Sequence, residues 1–136
     1  MNVARPLRII AIIAAVVAIA LGMGTYTHPG FITIHMLFGL LVALILLTLA
    51  VMAVFTSGLR RMGVIGILYA LLVPIFGVTQ EMILPGDLHW LIETAHLAVG
   101  FGALTFIGAI GTAFVRRQQA SSKPVTAPAD VPQAIR

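Results

Sequence analysis

The chain has four histidines, and they fall into two matched sets. His28-Pro-Gly-Phe-Ile-Thr-Ile-His35-Met-Leu-Phe-Gly39 and His89-Trp-Leu-Ile-Glu-Thr-Ala-His96-Leu-Ala-Val-Gly100 both read His-x4-Thr-x-His-x3-Gly. Each copy opens a long apolar run. A neutral imidazole offers one lone pair and one N–H, which makes histidine the commonest metal ligand as well as an acid–base group. With no cysteine in the chain, disulfides, thiolate metal sites and covalent c-type heme attachment are excluded. Two imidazoles projected from two separate apolar segments suit the two axial positions of a heme iron.

The elements that carry these residues must lie in a membrane. The 136 residues are 60% hydrophobic and 9% charged, and a soluble domain this small could not keep so much apolar surface from water. Four stretches are long enough to cross a bilayer, which takes about 20 apolar residues: Leu7–Gly24, Pro29–Thr56, Met62–Thr79 and Leu88–Val115. The first has the basic start and apolar run of a signal peptide. No small-x-small cleavage site fits near Gly22–Thr27, so it is read as a helix. The expected architecture is all-α, an integral membrane four-helix bundle over residues 1–117, followed by a disordered cytoplasmic tail over 118–136, where Ala, Pro and Ser have nothing to bury.

Charge sets the orientation. Arg5 and Arg8 lie at the start of the first segment, Arg60 and Arg61 join the second to the third, and Arg116, Arg117 and Lys123 follow the fourth. The other two connections hold no Lys or Arg, so both termini are expected inside, in the cytoplasmic membrane of a bacterium or archaeon. Pro29 fits the first position of a helix capped by Thr27 or His28. Pro85-Gly86-Asp87 reads as a turn with Asp87 capping the last helix, and Pro74, followed by Gly77, should kink the third.

The second and fourth helices then run in the same direction, as two helix-pair repeats. His35 and His96 lie about two turns below the outer end of each. Gly39 and Gly100, four residues on, fall one turn deeper on the same face and leave room beneath the imidazoles for a flat macrocycle. Glu93 shares the face of His96 and is the candidate catalytic carboxylate; with Thr33 or Thr94 it could serve propionates, imidazole N–H groups or a proton path. Plainer roles compete. Intramembrane histidines also glue helices, and glycines also permit close packing; His28 and His89 sit at the water boundary, as secondary candidates for metal ligation. Gly108, Gly111 and Thr112 look like a packing face, and Tyr26, Phe31 and Trp90 like an aromatic belt.

The layout resembles one four-helix half of heme A synthase and, more generally, a four-helix membrane b-type cytochrome. In the synthase family the second and fourth helices of each half carry a histidine near the outer side, about sixty residues apart; His35 and His96 match those positions. Glu93-Thr-Ala-His96 resembles the family's Glu-x-x-His. Met36 stands where the family has Arg, Ile32 where it has Glu, and the outer-loop cysteines are missing. The resemblance implies heme-binding geometry more than oxygenation chemistry. The expected function is a b-type cytochrome holding one heme b per chain between His35 and His96. It would exchange electrons with a quinol near Glu81–Glu93 or with a neighbouring redox subunit. Two alternatives are a half-size, homodimeric heme-modifying enzyme that uses Glu93, and a non-redox subunit of a larger membrane complex. Zinc or copper at all four histidines suits their two depths less well, and no nucleic-acid partner is expected.

Overall fold

In lipid every backbone N–H and C=O must find its partner within the protein, which leaves an open chain the α-helix as its spanning form. The structure, a computed structural model, describes residues 3–25 and 27–121. It contains helices α1 (Ala4–Gly24), α2 (Phe31–Val54), α3 (Arg60–Thr79) and α4 (His89–Ser121), with a single 3-10 turn at Gln80–Met82 after α3. No strand occurs among the described residues. All four helices are long and apolar enough to cross a membrane; even α3, with 20 residues, spans about 30 Å, the thickness of a hydrocarbon core.

Neighbouring helices are antiparallel. Arg8 on α1 reaches Thr112 on α4, and the Arg117 side chain lies against Gly58 in the α2–α3 connection, so these parts share one end. At the other end α1 meets α2 at Gly22 and His35, and α3 meets α4 at Gly77 and His96. α2 packs against the three other helices, whereas α1 and α3 do not touch. The bundle is therefore rhombic in section, and its short diagonal joins α2 to α4, the two helices that carry histidine pairs.

Small residues set where the helices come closest. The core gathers Ala11, Ala14 and Ala15 of α1, Leu46, Leu49, Ala50 and Ala53 of α2, and Ile107 and Ile110 of α4. Gly63 lets α3 lie on α2 backbone to backbone: a Cβ there would stand 2.6 Å from the Val54 nitrogen and 2.7 Å from the Ala50 oxygen. Without a hydrophobic drive between helices in lipid, such close packing is a main source of cohesion. Among the described residues most of the buried ones lie toward the arginine end; Ala18, beside His35, is an exception. None of the described residues in 19–41 or 71–102 is buried.

Several local expectations need correction. α2 starts at Phe31, with Gly30 at its N-cap and no side-chain capping bond. Thr25 and Thr27 instead donate back to the carbonyls of Gly22 (2.7 Å) and Gly24 (3.0 Å), closing the end of α1. Pro29 therefore sits in the connection, where its oxygen accepts from the Ile32 N–H. The Pro85-Gly86 turn is present, with Gly86 at φ 103. Asp87 does not cap α4, because the His89 N–H is already taken by the Gly86 carbonyl at 3.0 Å. Pro74, where a kink was expected, lies inside the single helix α3. At the other end α4 runs to Ser121, a turn past the boundary expected at residue 117, since Gln118, Gln119 and Ala120 favour helix without a core to join. Tyr26 and residues 122–136, the rest of the expected tail, lie outside the described residues.

Candidate functional site

His35 lies in the second turn of α2 and His96 in the third turn of α4, and the bundle's short diagonal brings them together. Their ring centroids are 5.9 Å apart with the planes inclined at 54°. Two imidazoles that share one metal ion from opposite sides need a centroid separation of roughly 6 Å, given metal–nitrogen bonds of about 2 Å. The observed separation is close to that value.

The tautomer of His35 follows from its partner. Its Nδ1 lies 2.8 Å from the carbonyl oxygen of Ala18 on α1. A carbonyl only accepts, so Nδ1 carries the proton and donates, and Nε2 keeps its lone pair. Ligating histidines hold their other ring nitrogen in this way, which fixes the ring and raises its basicity. Gly22, one turn along α1, makes the seat: a Cβ there would be 3.0 Å from His35 Cε1 and 3.1 Å from Nδ1.

His96 is seated differently. Phe76 of α3 stacks on it, centroids 6.1 Å apart at 25°, and a Cβ on Gly77 would come within 3.3 Å of its Cε1. Its Nδ1 is buried and has no hydrogen-bond partner. An unmet polar atom of this kind costs roughly 1–3 kcal/mol.

The remaining candidates separate from this pair. His28 is exposed, with Nδ1 donating to the Thr27 hydroxyl oxygen at 3.0 Å and its ring stacked on Phe31. His89 faces the Ile83 carbonyl at 3.3 Å and ties the connection to the start of α4. No three His, Cys, Asp or Glu side chains come together among the described residues to hold an ion. The four histidines thus form no single cluster for zinc or copper, and the contacts of His28 and His89 are with their own connections. Glu93 is half-buried, one turn from His96, and makes no hydrogen bond or ion pair with a described residue. A Cβ on Gly39 or on Gly100 would meet nothing within 4 Å, so both glycines border open space.

The glycines that seat the rings are Gly22 and Gly77, and the sequence reading did not single them out for that role. Each lies on the helix before its histidine, near the C-terminal end of that helix. That shared placement was the available signal, but a lone glycine in an apolar helix has many other uses.

Comparison with known proteins finds no matching family model, no similar curated protein and no similar solved structure. The chemistry of the site is therefore read from its own residues.

Proposed function

We propose that this chain is a four-helix membrane b-type cytochrome in which His35 and His96 hold one heme between α2 and α4. The observation that carries the reading is the imidazole pair itself, 5.9 Å between centroids, with the His35 tautomer set by the Ala18 carbonyl. Two imidazoles and no third protein ligand are what an iron already held by four macrocycle nitrogens requires. The open space beside Gly39 and Gly100 is consistent with a bulky planar group nearby. When bound, the heme supplies a one-electron redox couple. The protein's share is to present two neutral imidazoles, to seat them on Gly22, Gly77 and Phe76, and to keep water from them with apolar helix.

Segregation of the arginines supports an orientation with both termini inside, the histidine end facing outward. The duplicated histidine motif supports two helix-pair repeats, since equivalent sequence tends to take equivalent positions. A quinol or a neighbouring redox subunit at the Glu81–Glu93 end is the electron partner that this orientation favours. Glu93, half-buried one turn from His96 with no ion pair, is placed to handle a proton there. That placement also favours the second reading, a half-size heme-modifying enzyme like heme A synthase.

The test is the absorption spectrum of the detergent-purified protein, followed by identification of the extracted pigment. A low-spin spectrum from unmodified heme b is expected. An extracted heme with an altered side chain would assign the chain to heme modification instead. A colourless protein made under ample heme supply would leave only the role of a non-redox subunit.

A further inference from the structure

The small residues near the end of α4 divide into two faces. Gly111 is buried and turned to α1, where a Cβ would lie 3.5 Å from Arg8 Cδ; Gly108 borders open space, with nothing within 4 Å. Gly108 belongs to a surface groove of about 610 Å³ lined by Met62 of α3 and by Ala109, Thr112, Ala113 and Arg116 of α4. From Thr105, its deepest lining residue, to Arg116 the groove runs about 16 Å along the helix. That is close to the depth of one hydrocarbon leaflet, about 15 Å.

The mouth of the groove is cationic. Arg116 lines it, and Arg8 donates from Nη1 to the Thr112 hydroxyl at 3.5 Å. No described carboxylate answers them, because Glu81, Asp87 and Glu93 belong to the opposite end of the bundle. A second copy of this chain in the same orientation would set arginine against arginine. Free phosphate would satisfy the charge and leave the apolar trough unused.

We infer that the groove binds one anionic phospholipid, its acyl chain along Gly108–Ala113 and its phosphate against Arg8 and Arg116. An apolar groove with Arg116 in its lining and Arg8 hydrogen-bonded to its Thr112, neither met by a described carboxylate, matches a lipid with a chain and a negative head, and each basic residue near a membrane surface adds attraction to anionic lipid. This inference does not depend on the heme reading.

Native mass spectrometry of the detergent-released full chain tests it, with phosphatidylglycerol and phosphatidylcholine of identical chains as probes. Wild type should retain phosphatidylglycerol about tenfold better, an advantage within reach of two basic contacts. The double variant R8Q/R116Q should lose that preference. R5Q/R117Q, which removes the same charge elsewhere at this end, should keep it. Gly108→Leu enters open space, so the fold should persist while lipid retention falls. Equal loss in the two double variants, or unchanged retention in Gly108→Leu, would overturn the site. Competition by millimolar inorganic phosphate would reduce it to an anion site without the chain. Because the chain has no cysteine, Ala109→Cys gives a single thiol; efficient disulfide dimerisation through it in membranes would assign the groove to a second copy instead.

Discussion

Whether His35 is a ligand in waiting or helix glue turns on one proton. Its Nδ1–H goes to the Ala18 carbonyl at 2.8 Å, and a net hydrogen bond of about 1 kcal/mol is enough to bias a tautomer several-fold. Nitrogen-15 shifts of the cofactor-free protein should therefore show His35 protonated at Nδ1. Gly22→Val should shift that equilibrium or broaden it, because the first carbon of the new side chain would already stand 3.0 Å from the ring. Unchanged His35 shifts in the valine variant would mean that the seat is not made by Gly22. Gly39→Leu and Gly100→Leu act the other way. Both enter open space, so protein stability should hold while cofactor occupancy falls; occupancy equal to wild type in both would place these glycines toward lipid. The histidine pair was legible in the sequence because its motif is repeated in full. Gly22, Gly77 and the Ala18 carbonyl were not, because a ring's seat is built by another helix and a backbone carbonyl has no sequence signature.

At the scale of elements, the helices come out close to the apolar runs, since length and hydropathy decide spanning segments almost alone. The ends were harder to read. Thr27 suited a cap for α2 but instead closes α1 at Gly24, a choice between two helices within hydroxyl reach that local sequence does not decide. Cohesion between elements rests on backbone approach, and Gly63 is its sharpest case. Gly63→Ala would press a methyl onto the Val54 nitrogen and Ala50 oxygen, which are backbone atoms that cannot turn aside. Overpacking of this kind costs about 1–3 kcal/mol. The variant should lower the thermal midpoint in detergent by several degrees, while Gly108→Ala, facing open space, should leave it within error. Equal midpoints for the two would show that α3 does not depend on contact with α2.

For the whole molecule, the histidine pair and most of the tight core lie toward opposite ends. The tight core lies with Arg5, Arg8, Arg60, Arg61, Arg116 and Arg117, while no described residue in the stretches around the histidines is buried. Positive charge held on one side predicts that side inside. Reporter fusions at Arg60 and at Gly86 should read cytoplasmic and external; the reverse would invert the orientation and put the histidine end inside. The central claim is that His35 and His96 share one heme iron as its two axial ligands. It is tested most directly by reduced-minus-oxidised spectra of wild type and the four single His→Ala variants. His35→Ala and His96→Ala should each lose the six-coordinate low-spin signal, since each removes one strong-field nitrogen, while His28→Ala and His89→Ala keep it. An unchanged low-spin signal in both His35→Ala and His96→Ala, or its loss only with His28 or His89, would contradict the assignment.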